Sequence, residues 1–185
     1  MTTTLTTLTT RATRATETTL DLLRAETPGG VFTVLRTPED GVVRAGGYGS
    51  PDTLVSRLDP GLRERGVRER TGADPLFDRF AAYADGELAA LDDIPVHQPG
   101  GAFHQQVWAA LRHVEPGVPV TYSELAARAG RPAAVRAAAS ACARNLVALI
   151  VPCHRIVRRD GTLGGYLFGL DTKQRLLDHE APAAA

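Results

Sequence analysis

Residues 120–145 read VTYSELAARAGRPAAVRAAASACARN. The stretch has the punctuation of two short helices. Thr121 or Ser123 is placed to cap the first, which runs to Ala129, and Gly130 ends it. Pro132 suits the first position of a second helix over 133–144. Two short helices joined by a glycine-containing turn form a helix-turn-helix pattern. Apart from Arg136 and Arg144, the second helix is almost entirely Ala, Ser, Val and Cys. Side chains that small let a helix backbone come close to another surface, whether that surface is a partner or the protein's own interior.

Upstream of this unit, Phe103, Val107, Trp108 and Leu111 share one face of a predicted helix over 103–114, with Trp108 as a core anchor. Residues 92–101, with Pro95, Pro99 and two glycines, read as a linker. Before it the texture is that of a small α+β unit. Val31–Leu35 and Val42–Ala45 form a hairpin around a Pro38–Gly41 turn, and Gly46–Pro51 reads as loop. Asp52 caps a helix over 53–58, the charged stretch 59–72 reads as mobile, and 75–91 is an amphipathic helix. Downstream, Leu146–Val151 is a buried strand or extended run, and Asp171 caps a last helix over 172–179. The predicted fold class is therefore α+β. A small N-terminal domain (20–95) holds an antiparallel sheet plus helix, and a mainly helical domain (96–181) carries the helix-turn-helix. The Thr-rich segment 1–19 is expected to be a disordered tail.

The totals exclude several functions. No run of apolar residues is long enough to span a membrane as a helix, and residues 1–19 have no apolar core of a secretory signal. Two cysteines in 185 residues do not make a disulfide framework, so a reducing cytoplasm is the expected location. The formal net charge is zero, yet it divides into −4 over residues 1–99 and +4 over 100–185. Residues 128–159 contain seven arginines and no acid. A phosphate backbone responds to local field and not to total charge.

That basic stretch also contains Cys153, in the run Pro152-Cys153-His154-Arg155-Ile156-Val157. A thiolate is a good nucleophile, and nearby arginines, His154 and backbone dipoles would favour it. Neighbours in an extended segment point to opposite sides, so a water would have to bridge Cys153 and His154. Glu180, at the end of the last helix, is the candidate for orienting the imidazole. A cysteine after an apolar run also suits an inert core position, which is how Cys142 is read. The other histidines show no ligand spacing around the cysteines, so no metal is expected.

The same run resembles the active-site signature of the O6-alkylguanine-DNA alkyltransferases. The resemblance covers about 101–180. It includes Phe103–Trp108, Val120–Ala126, Val135–Ala137, Ala143–Asn145, Gly164–Tyr166, Lys173 and Leu176–Glu180. It implies DNA repair by single-turnover transfer of an alkyl group from O6-alkylguanine, and from O4-alkylthymine as a further substrate, to Cys153, with no cofactor. His154 would remove the thiol proton through water, Glu180 would polarise His154, and Asn145 would brace the cysteine turn. Arg136 would enter the duplex in place of the extruded nucleotide. Tyr122 would help rotate that nucleotide and protonate the leaving base. Tyr166, with the backbone at Ile156 and Leu167, would contact the flipped base, and Ser123, Arg131 and Arg159 would touch the DNA backbone. The implied partner is duplex DNA carrying alkylated guanine, met by a monomer away from membranes.

The chain departs from the family pattern at Leu146, where proline is usual, at Ala138–Ser140, and at Leu167-Phe168, where small residues are usual. Phe168 is expected to crowd the pocket rim. Two other classes fit the residues less well. One is a protein that recognises lesions or regulates without repairing, which would not need the cysteine. The other is a thiol hydrolase using Cys153, His154 and Glu180.

Overall fold

The computed structural model describes residues 18–182; residues 1–17, most of the segment read as a disordered tail, lie outside the described residues. The N-terminal half is a four-stranded sheet of β1 (Leu20–Thr27), β2 (Gly30–Arg36), β3 (Val43–Tyr48) and β4 (Val67–Glu69). Its order is β3-β2-β1-β4. The first three strands are antiparallel, and β4 runs parallel to β1. Side chains alternate as a pleat requires. Leu20, Leu22, Leu35 and Ala45 pack with Leu54 and Leu58 around α1 (Pro51–Arg57). Leu23, Phe32 and Val34 face the main core with Phe80 and Tyr83 of α3 (Pro75–Ala84). A short α2 (Pro60–Glu64) precedes β4.

Several local expectations are corrected here. The supposed loop Gly46-Gly47-Tyr48 is the end of β3, because it pairs with Phe32–Val34 of β2. Ser50, not Asp52, caps α1 by accepting from the Asp52 backbone N–H. The charged stretch 59–72 holds α2 and β4. All three β4 residues are exposed, so no apolar pattern announces the strand; backbone pairing with Leu20–Leu22 fixes it. The helix expected over 75–91 stops at Ala84, where Asp85 and the left-handed Gly86 turn the chain. Leu91 and Ile94 reach the core from turns beyond it.

The C-terminal half comprises α4 (Ala102–Arg112), α5 (Tyr122–Arg128), α6 (Val135–Arg144) and α7 (Leu170–Glu180). A two-stranded parallel ladder of β5 (Val120–Thr121) and β6 (Ile156–Val157) joins them. Thr121 and Glu124 form a reciprocal capping box at the start of α5. Pro132 lies in a turn, closed by the Ala134 N–H on the Arg131 carbonyl, so α6 starts three residues after it. Gly169 precedes α7, and Asp171 sits in its first turn without a cap bond. Trp108 donates its indole N–H to the Ala141 carbonyl at 2.9 Å, which satisfies the ring's polar edge and ties α4 to α6. One apolar core runs from Leu23 of the sheet through Trp108 to Leu176 of α7.

The segment read as a linker is structural. Val96 bridges Val43 of β3, with the His97 N–H on the Val43 carbonyl at 3.0 Å. The free edge of β3 also holds the segment before the cysteine. The Gly46 N–H donates to the Leu146 carbonyl at 2.8 Å, and the Ala148 N–H donates to the Gly46 carbonyl at 2.9 Å. Residues 146–151 are all buried, as expected, but as a folded loop held by one bridge, not as a strand. Leu149 has φ 65° and is the single non-glycine residue with positive φ among those described. Such a conformation stores strain that surrounding contacts must hold.

Candidate active site

Cys153 opens a single 3-10 turn, Cys153–Arg155, not an extended segment. It lines a cavity of about 260 Å³ together with Tyr122, Cys142, Asn145, Tyr166 and Phe168. Ala139 and Ala143 of α6 form another wall. Their small side chains leave room where longer ones would fill the space. Cys142, read as core, packs against the core and also lines the cavity.

Asn145 directly follows α6 and is buried. Its amide donates to Cys153 Sγ at 3.2 Å and to the Val151 carbonyl at 2.8 Å. Its Oδ1 accepts from the Val147 N–H at 3.1 Å and from Gln98 Nε2 at 2.9 Å. Gln98 in turn accepts from the Leu146 N–H at 2.6 Å. With every polar atom engaged, the side chain fixes both ends of the loop that carries the sulfur. Leu146, where the resemblance implies proline, has an N–H that makes a bond proline lacks.

Behind the sulfur lies a buried polar network. His154 Nε2 is 3.0 Å from Glu180 Oε1. Arg155 grips the same carboxylate with two bonds of 2.9 Å, and Tyr83 of α3 donates to Oε1 at 2.8 Å. Burial tends to raise the Glu180 pKa, but the bonds from His154 and Arg155 bring it down to about 2. For His154, burial outweighs the pull of Glu180 and lowers the pKa, so the ring is neutral near neutral pH. Its Nδ1 is buried with no protein partner. A neutral imidazole that donates from Nε2 to Glu180 carries its lone pair on Nδ1.

The resting sulfur differs from the expected thiolate. Burial raises the Cys153 pKa, and the Asn145 hydrogen bond, Lys173 and Arg57 offset this only in part. The thiol is therefore protonated at rest, so reaction requires a base. Of the seven arginines expected to make a positive field, Arg155 is buried on Glu180, whereas Arg128, Arg131, Arg136, Arg144, Arg158 and Arg159 are exposed.

The other candidates divide between cavity and surface. Tyr122 and Tyr166 are half-buried on the cavity, and Leu167 is exposed at its rim. The Tyr166 hydroxyl is buried without a protein partner. Ile156 is fully buried off the cavity lining, and its carbonyl accepts from Lys173 Nζ. Arg136 and Ser123 are exposed, as is Arg131, whose guanidinium lies 5.4 Å from the Phe103 ring centre. Phe168 lines the cavity and also packs edge-on against Tyr48 and Tyr166. A Cβ at Gly47 would lie 2.3 Å from the Phe168 ring, so a larger residue there would have to displace the ring. Among the described residues, no group of three or more His, Cys, Asp or Glu is arranged to hold a metal, and no helix is long and apolar enough to cross a membrane.

Tyr83, Gln98 and Arg57 were not foreseen. Arg57 of α1 donates to the Asn145 carbonyl at 3.3 Å, at the C-terminal end of α6. These contacts bridge 47 to 97 residues of sequence, so no local pattern could reveal them.

Residues 102–182 match the family described as 6-O-methylguanine DNA methyltransferase, DNA binding domain. The chain is 39% identical over 162 residues to the bifunctional transcriptional activator/DNA repair enzyme Ada of Escherichia coli, covering 86% of this chain and 42% of that protein. It is 46% identical over 112 residues to the regulatory protein ada of Salmonella typhimurium, but spans only 32% of it. The methylated-DNA–protein-cysteine methyltransferase of Salmonella typhimurium is 38% identical over 131 residues, which are 70% of this chain and 77% of that one. The fold matches a Mycobacterium tuberculosis O6-methylguanine methyltransferase with TM-score 0.69 and 29% identity, covering 89% of this chain and 96% of that one. A structure of the mycobacterial protein in complex with DNA gives TM-score 0.68 at 28% identity, over 88% and 96%. The chain belongs to the O6-alkylguanine-DNA alkyltransferase family.

Proposed function

We propose that the chain repairs DNA by moving an alkyl group from the O6 atom of guanine in duplex DNA to Cys153 Sγ, once per molecule. The observation that carries this reading is the sulfur itself. Cys153 lies at a cavity, takes a hydrogen bond from Asn145, and is followed by a buried neutral His154 backed by Glu180. The alkylated oxygen is inaccessible inside a duplex, so the nucleotide must leave the stack, at a cost of a few kcal/mol. Arg136, exposed on the Ala-rich α6, fills the gap from the minor groove and offsets part of that cost. Ser123, Arg131 and Arg159 are exposed and hold the backbone. The flipped base enters between Tyr122, Tyr166 and the backbone at Leu167.

The thiol is protonated at rest, so His154 Nδ1 takes its proton through a water as sulfur attacks the alkyl carbon. The C–O bond breaks and a C–S bond forms. Tyr122, whose phenol burial keeps protonated, supplies a proton toward the departing guanine. The thioether has no ready leaving path, so the protein acts stoichiometrically. Residues 20–95 and 96–181 serve as scaffold and reaction domains of a monomer acting in the cytoplasm.

The test is the mass of the peptide containing Cys153 after incubation with a methylated-guanine duplex. A single methyl gain supports transfer. Tight binding with unchanged mass would indicate lesion recognition alone. Neither result, with turnover of a thioester, would indicate a hydrolase.

A further inference from the structure

Tyr83 belongs to the N-terminal half, yet its hydroxyl ends on the Glu180 carboxylate, 97 residues away, at 2.8 Å. Both side chains are buried. Oε1 of Glu180 accepts three hydrogen bonds, from Tyr83, from His154 Nε2 at 3.0 Å and from Arg155 Nη2 at 2.9 Å, while Oε2 takes Arg155 Nε at 2.9 Å. An ionised carboxylate offers about two lone-pair sites on each oxygen. Three donors on one oxygen therefore compete, and Tyr83 and His154 draw on the same electron density.

The ring of Tyr83 is held independently of its hydroxyl. The Tyr83 carbonyl accepts from His179 Nε2 at 2.8 Å, and the two rings pack 5.2 Å apart between centres. Burial and the nearby Glu180 charge push the phenol far above its ordinary pKa, so it acts only as a donor. The charged and titratable groups facing His154 are Glu180 and Lys173 of α7, with Arg155 of its own turn. Those facing Glu180 are His154, Arg155 and Tyr83, with Tyr48 of β3 and Tyr166 at longer range.

We propose that Tyr83 is a positioning residue of the transfer reaction: its hydroxyl takes part of the Glu180 charge and so limits how strongly Glu180 holds the His154 imidazole. The proposal rests on the alkyl-transfer reading. With Tyr83 in place, the imidazole stays neutral and its Nδ1 remains free to receive the Cys153 proton. Without the hydroxyl, charge on Oε1 shifts toward His154, the imidazolium is favoured, and less of the ring can serve as base at a given pH.

The test uses the full chain with Tyr83→Phe, and a second variant with a ring-fluorinated tyrosine at position 83. The fluorinated phenol keeps the hydroxyl and the packing but donates more strongly. Two quantities are read: the NMR resonance of the His154 Nε2 proton at neutral pH, and the acid limb of single-turnover methyl transfer. For Tyr83→Phe, the proton should move downfield as its bond to Glu180 strengthens, and the acid limb should move up by about one pH unit. For the fluorinated variant, both should move the other way. Resonances and profiles that overlay the unmodified chain, or variants that shift in the same direction, would overturn the proposal. If the unmodified chain takes no methyl group on Cys153, the transfer reading fails, while the imidazole resonances still report whether Tyr83 governs the hold on His154.

Discussion

Cys142 and Cys153 line one cavity, Cys142 from the last turn of α6 and Cys153 from the 3-10 turn. Burial raises the pKa of both thiols. The difference lies in what stands behind them. Cys153 receives the Asn145 amide and adjoins a neutral imidazole with an open Nδ1. Cys142 has only its own backbone and the Lys173 charge to offset burial, and the neighbouring Cys153 raises it further. Sharing a cavity does not make two sulfurs equivalent nucleophiles. On the proposed reading, the buried polar network selects Cys153.

Separate substitution of the two cysteines puts this contrast at greatest risk. Cys153→Ala should abolish methyl transfer yet leave DNA binding intact, whereas Cys142→Ala should keep transfer within the same order of magnitude. A methyl group found on Cys142 in the Cys153→Ala protein would break the contrast. Next in size is Asn145→Ala. It removes the donor to Sγ and takes away the oxygen to which Gln98 Nε2 and the Val147 N–H donate. Chemical denaturation should show a loss of about 3 kcal/mol. The single-turnover rate should fall on the order of 100-fold, because the sulfur is misplaced.

The acid dependence of stability sharpens the comparison on the Cys153 side. The Glu180 pKa is depressed in the fold from 4.5 to about 2. Its contribution is thus fully present above pH 4.5 and is lost as pH falls toward 2, an effect of about 3 kcal/mol. Glu180→Gln should flatten that part of the stability-against-pH curve, as followed by thermal unfolding. The smallest effect concerns the rim both thiols share. Phe168 crowds the cavity mouth, so Phe168→Ala should speed labelling by a benzylated free guanine about tenfold. Rapid, complete labelling of the unaltered chain would show that Phe168 is no barrier.

The sequence displayed the helix-turn-helix clearly because its signals are local: the Thr121–Glu124 box, Gly130, and the small-residue face of α6. The order Asn145, Cys153, His154, Glu180 was legible through the family resemblance. The physics of the site was less so. The protonated resting thiol follows from burial, which residue types alone do not report. The strand character of Gly46–Tyr48 was hidden because glycines there carry no β-forming side chain; their purpose is to admit the Phe32 and Phe168 rings, brought from elsewhere in the fold. β4 was invisible because its three residues are exposed and show no apolar pattern, and its ion pairs with Asp21 and Arg24 of β1 join residues far apart in the sequence. Gln98 looked like linker because the partners of its side-chain amide lie 47 and 48 residues away.

The placement of Gln98 and Gly46 governs how the chain can be cut. A fragment trimmed to residues 102–182 would retain Cys153, His154 and Glu180. It would lack the amide that occupies Asn145 Oδ1 and the strand edge that carries Leu146 and Ala148. Modularity ends upstream of the recognisable half. Any minimal version of this protein must carry its sheet along as a jig.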